Sequence, residues 1–197
     1  MSSFSLSALS KIAGVACLIA TLSSCVPAAL VLGATAGGAV VYDRRSMQTM
    51  VNDKNAQAQA EKNLTNTPEL QQNSHLVVAV FDGIMLLAGQ LSSNELRTLA
   101  FNQVSNVQNV SRVYNEITVQ QPVSLGQRSK DSWITTKVRT EMLAKKGLNS
   151  TQIKVVTENG VVYLMGVVTP HQSDLAADVA RRVDGVQRVV KVFENQQ

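Results

Sequence analysis

One short pattern occurs twice in this chain, and any fold proposed for it has to accommodate two copies of a single unit. In the first copy the apolar run 76–80 leads into Phe81-Asp82-Gly83, then residues 84–88 and Gly89. In the second, residues 153–157 lead into Glu158-Asn159-Gly160, then residues 161–165 and Gly166. Asp-Gly and Asn-Gly between β-rich runs predict tight hairpins, because both central residues of a type I′ turn take positive φ. Gly83 and Gly160 are assigned to those turns, and Gly89 and Gly166 to a bulge or a close backbone approach. These four glycines are read as structural. They make no phosphate-binding loop, since no Lys-Ser/Thr follows them.

Three residues after each second glycine comes a helix start. Ser92-Ser93-Asn94-Glu95 and Thr169-Pro170-His171-Gln172 both fit a capping box, with Pro170 at the first helical position. Leu96, Ala100 and Val104, and likewise Leu175, Val179 and Val183, mark the core side at i, i+4, i+8 spacing. Strands over 113–117 and 190–193 close the two units. A helix over 132–146 precedes the second hairpin. Its counterpart over 53–64 lacks a clear apolar stripe from residue 55 onward. Each unit therefore reads helix, strand, strand, helix, strand in about 65 to 70 residues, a size at which small α+β domains fold alone, with both helices over one sheet face. The Pro and Gly content of residues 120–127 predicts a linker between them.

The N-terminus points to a compartment. Residues 12–22 form an apolar run of signal-peptide length behind Lys11, too short for a good membrane span. Leu22-Ser23-Ser24-Cys25 resembles the bacterial lipobox, in which the cysteine is diacylated and becomes the first mature residue. The bland alternative is an unmodified Cys25 inside an uncleaved apolar anchor, since no residue from 12 to 42 is charged. Against that stand Pro27 and the Gly-rich stretch 33–38, which are poor helix formers. A diacylglyceryl group supplies the roughly two chains that stable attachment needs. No other cofactor is expected. Val26, rather than an aspartate, follows the cysteine, which by the same resemblance implies the outer membrane, periplasmic face. The chain then divides into a signal peptide 1–24, a lipidated tether 25–52, a first domain 53–119, a linker 120–129 and a second domain 130–197.

The αββαβ order, the turn glycines, the glycines six residues beyond them and the closing strands resemble BON domains of bacterial envelope proteins. The stretches 113–117, 133–139 and 157–166 carry the likeness, and two such domains behind a lipobox resemble the dual-BON outer-membrane lipoproteins. The resemblance implies an α+β fold of two tandem BON domains, each αββαβ with a mixed three-stranded sheet packed on two helices. It also implies binding of anionic phospholipid, such as phosphatidylglycerol or cardiolipin, through the first helix of the second domain, with a role in envelope integrity and at the division site.

The residues of that helix are consistent with the implication. At 100° per residue Ile134, Val138 and Met142 fall within about 80° of one another, a core stripe, while Trp133 lies roughly 140° from its centre. Thr136, Lys137 and Thr140 share the Trp133 side, and Arg128 and Lys130 are placed just before the helix. An indole among cationic side chains suits a membrane interface. The alternative is that Trp133 packs on the first domain or the linker. Competing functions are an adaptor for outer-membrane assembly machinery or a peptidoglycan enzyme, and a chaperone-like module.

Composition excludes several other classes. The chain is 45% hydrophobic, which argues against full disorder, and has two histidines, two cysteines and a formal charge of +4. Neither His75 nor His171 has a neighbour at metal-ligand spacing, and the carboxylates are scattered, so an enzyme is not expected. Nucleic-acid binding is not expected either, for want of a clustered basic stripe with aromatics.

Overall fold

The computed structural model describes residues 46–195. The signal peptide, Cys25 and the tether up to residue 45 lie outside the described residues. Two αββαβ units follow one another. The first is α1 (Met47–Thr65), β1 (His75–Phe81), β2 (Ile84–Leu91), α2 (Asn94–Val104) and β3 (Arg112–Val119). The second is α3 (Leu125–Ala144), β4 (Ile153–Glu158), β5 (Val161–Val168), α4 (Pro170–Ala180) and β6 (Arg188–Asn195). Each sheet is mixed: the hairpin pairs antiparallel, and the last strand lies parallel to the middle one.

The hairpin turns have the expected backbone, with φ of 53° and 74° at Asp82 and Gly83 and of 49° and 73° at Asn159 and Gly160. A Cβ on Gly89 would sit 2.0 Å from the His75 carbonyl oxygen, and one on Gly166 2.2 Å from that of Gln152. Both glycines are thus required where the paired strand begins. What holds each turn to its domain is a carboxylate that sequence reasoning passed over. Asp53 of α1 accepts from the Asp82 and Gly83 amides at 2.8 and 3.0 Å, and Asp131 of α3 from those of Asn159 and Gly160 at 2.8 and 2.9 Å. Both aspartates are buried.

Four details differ from expectation. First, α1 packs despite its weak stripe, because its inward residues are Ala56, Ala60 and Leu64 beside Asp53. Small alanines bring the helix backbone close to the sheet and leave little apolar signal. Second, α3 starts at Leu125, capped by Ser124, whose hydroxyl accepts from the Gln127 amide at 3.2 Å. Arg128 and Lys130 therefore lie inside the helix, and the second half of the expected linker is helical. Third, Ser93 rather than Ser92 caps α2. Thr169 does cap α4, but the Gln172 side chain turns away to the Asn149 amide and the Gly147 carbonyl. Fourth, the buried face of α4 is Ala176, Ala177 and Ala180, with Leu175 and Val179 only partly covered.

The strands alternate in period two between two different cores. Val78, Val80, Met85, Leu87 and Ile117 meet α1 and α2, while Val155, Val162, Leu164 and Phe193 meet α3 and α4. Their neighbours on the opposite faces, among them Phe81, Ile84, Leu86, Tyr163, Met165 and Val192, form one shared cluster. The two sheets thus stack face to face, and the layers run helices, sheet, sheet, helices. This explains why β2 is buried along its whole length rather than on alternate residues.

Polar residues lock the stack at one corner. Glu158 accepts from the Gln90 side-chain amide at 2.8 Å and lies 3.2 Å from His75 Nε2, while Gln90 Oε1 accepts from the Val123 amide of the linker. His75, for which the sequence suggests no partner, finds one in the other domain. The Lys154 ammonium donates to the Val80 carbonyl on the edge strand of the first sheet, and Arg139 donates to the Val155 carbonyl on that of the second. Edge carbonyls covered by cations are poor templates for pairing with another chain.

Two measurements follow from these contacts. Asp131→Ala strands two turn amides and should lower the unfolding free energy in urea by about 2–3 kcal/mol, with Asp131→Asn losing less. An unchanged midpoint would remove the clasp from the account. Burial beneath the opposed sheet, reinforced by the Glu116 carboxylate, pushes the Tyr163 phenol up to about 12. The unfolded phenol ionises near pH 10, so this contribution is complete below pH 10 and is lost as pH rises towards 12. Tyr163→Phe should flatten that part of the stability profile, and parallel profiles for the two proteins would contradict the burial.

Candidate membrane-contact face on the third helix

In the layer order, one side of α3 is committed to the second core and the other is left exposed among the described residues. Asp131, Ile134, Val138 and Met142 form its buried face, Asp131 through its turn clasp. Trp133 lies on the opposite side, half exposed, and belongs to none of the three apolar clusters. It is thus part of neither domain core nor of the sheet–sheet cluster. The Lys137 ammonium stands 5.8 Å from the centre of the indole, within cation–π range.

Thr136 and Thr140 share this exposed face. Their hydroxyls donate to the carbonyls of Ser132 and Thr136, one turn back along the helix, at 3.0 Å each. With those protons satisfied internally, the two threonines offer methyl groups beside the indole. Lys130 is exposed at the flank, about 60° around the helix from Trp133. Arg128 is not part of the group. It lies roughly 140° from Trp133, is partly buried, and its Nε is enclosed without a hydrogen-bond partner among the described residues. Of the six residues expected to contact lipid, five share the outward half of α3 and Arg128 does not.

Two residues on this half were missed in the sequence. Leu125 is 76% exposed and Leu143 is 65% exposed, and both project about 80° to the same side of Trp133. Leu125 falls in the stretch expected to be linker, and Leu143 lies in the expected helix 132–146 outside its core stripe. A wheel drawn over residues 125–144 would have placed both outward. Leu125, Trp133 and Leu143 span about 27 Å of helix.

Beside this face a cavity of about 480 Å³ runs between α3 and α4. Leu175, Val179 and Val183, the whole of the expected α4 stripe, line it together with Lys137 and Glu141. Among the described residues no group of His, Cys, Asp or Glu is arranged to hold a metal ion, and no helix is long and apolar enough to cross a membrane.

Two αββαβ units stacked through their sheets define a tandem-domain α+β protein. The chain belongs to the BON domain family: the BON domain pattern matches residues 52–121 and 130–196. It is similar to the outer membrane lipoprotein DolP of Haemophilus influenzae, with 34% identity over 88% of this chain and 89% of that one. It is also similar to a 21 kDa hemolysin of Actinobacillus pleuropneumoniae, with 38% identity over 77% and 78% of the respective chains. Among solved structures, CdsD, a structural protein of the type III secretion system of Chlamydia trachomatis, aligns over 71% of this chain and 91% of its own, at 9% identity and a TM-score of 0.30.

Because Trp133 is the sole tryptophan, its emission reports on this face alone. In solution the indole should emit as a largely hydrated one and be quenched by acrylamide without a protected fraction. A shielded, blue-shifted spectrum would contradict the placement.

Proposed function

We propose that this protein is an outer-membrane lipoprotein, held on the periplasmic face by an acylated Cys25, whose second domain lays α3 on anionic phospholipid and thereby supports envelope integrity. The kinship with an outer membrane lipoprotein and the lipobox-like segment support the anchor. The observation that carries the lipid contact is the outward half of α3, where three large apolar side chains alternate with Lys130 and Lys137. Each buried leucine or tryptophan is worth about 1.5–3 kcal/mol, and each cation near an anionic surface about 1 kcal/mol. Individually these are weak; together they hold a domain already tethered by its lipid. Phosphatidylglycerol and cardiolipin supply the negative headgroups, and enrichment of such lipid at the division site would concentrate the protein there. The work is attachment, with no catalytic step.

Flotation of the chain from residue 46 onward with vesicles tests the reading. It should float with phosphatidylglycerol-containing vesicles and not with pure phosphatidylcholine. Trp133→Glu should abolish flotation, Leu143→Glu should weaken it several-fold, and neither should move the thermal midpoint appreciably. Failure of the unaltered protein to float would favour an adaptor for outer-membrane assembly machinery instead.

A further inference from the structure

The first domain carries a groove at the place that corresponds to the face just described, and its chemistry is different. It holds about 450 Å³ between α1 and the loop that joins α2 to β3. Aligning the two copies on their clasp aspartates, Asp53 and Asp131, puts Asn55 at the position of Trp133, Gln59 at that of Lys137 and Asn63 at that of Glu141. Asn106, Gln108 and Asn109 complete the walls, and the buried side chains of Ala56 and Val107 form the floor. All six wall residues are amides, and among the described residues no charged side chain lines the groove. The matching cavity in the second domain has six charged residues on its walls.

Each carboxamide presents a donor pair and an acceptor side by side. An anion would be served by the N–H groups and opposed by the carbonyl oxygens, and a cation the reverse. A hydroxyl or an acetamido group, being donor and acceptor at once, is matched by both halves. Part of the array is already oriented: the Gln59 amide donates to Asn63 Oδ1 at 2.8 Å, and Asn63 donates to the Gln103 carbonyl at 2.9 Å. Gln59 Oε1 is thereby held as an acceptor beside the groove, which lowers the ordering cost of binding. The helices of the first domain form the outer layer opposite to α3, so a protein that rests on α3 turns this groove away from the lipid, towards the aqueous side.

We propose that the amide-lined groove of the first domain binds a neutral glycan chain bearing hydroxyl and acetamido groups. The recognition chemistry is independent of the lipid-binding reading, which enters only through the direction the groove faces. With no aromatic platform for a sugar ring among its lining residues, affinity on the order of millimolar is expected.

The test uses the chain from residue 25 onward carrying Cys25→Ser, labelled with 15N and titrated with the N-acetylglucosamine tetramer. Saturable shifts should appear in the side-chain and backbone amides of Asn55, Gln59, Asn63 and Asn106. Gln59→Ala combined with Asn106→Ala should weaken binding at least tenfold at an unchanged thermal midpoint. Trp133→Glu should leave the titration unaltered, so that the two sites fail or succeed separately. No saturable shift up to about 20 mM, shifts that map to the α3–α4 cavity instead, or full binding by the double variant would each overturn the proposal.

Discussion

The structure depends on the stacking of one sheet on the other. A three-stranded sheet covered on one face by helices still has a second face to bury, and in each half of this chain that face carries large apolar side chains such as Phe81, Leu86, Tyr163 and Met165. Left in water, either half would show a broad apolar patch of the kind that drives association. Stacking the halves removes both patches at once. It also dictates everything that points outward: with both sheets turned inward, the helices must form the two outer layers. The exposed side of α3 is therefore a consequence of the stack rather than a separate feature.

Within each layer the order rests on a smaller device used twice. A buried aspartate on the leading helix accepts both amides of the hairpin turn, which ties the helix to the one part of the sheet that no strand pairing secures. The clasp sets the rotation of the helix about its own axis. With Asp131 turned inward towards the Asn159-Gly160 turn, Trp133 and Lys137 have to face out, and with Asp53 turned inward the same holds for Asn55 and Gln59. Two copies of one scaffold thus present two chemically distinct surfaces, one apolar and cationic, the other composed of neutral amides.

Element order, hairpin turns and the Thr169 cap were legible in the chain because each has a local signal: Asp-Gly and Asn-Gly turns, a glycine where a neighbouring carbonyl crowds the backbone, and a Thr-Pro pair at a helix start. The domain pairing was not legible. Continuous apolar strands such as residues 84–88 show burial on both faces but not what covers the second one, and the partners His75 and Glu158 stand far apart in sequence. The clasp aspartates escaped because both fell at the expected starts of their helices, where an Asp looks like a solvated end residue, whereas the helices begin six or seven residues earlier. The exposed side of α3 was half legible: Trp133, Lys137 and the threonines followed from helical spacing, whereas Gly126 made the first turn of α3 look like linker and hid Leu125.

The central claim is that the outward half of α3 enters an anionic bilayer interface, and the single tryptophan permits a direct measurement. Vesicles of phosphatidylglycerol brominated at defined acyl positions should quench Trp133, most strongly with bromines near the headgroup end of the chains, while its emission shifts to the blue; matched phosphatidylcholine vesicles should do neither. Emission that stays at its solution wavelength and remains unquenched in the phosphatidylglycerol vesicles would contradict the account.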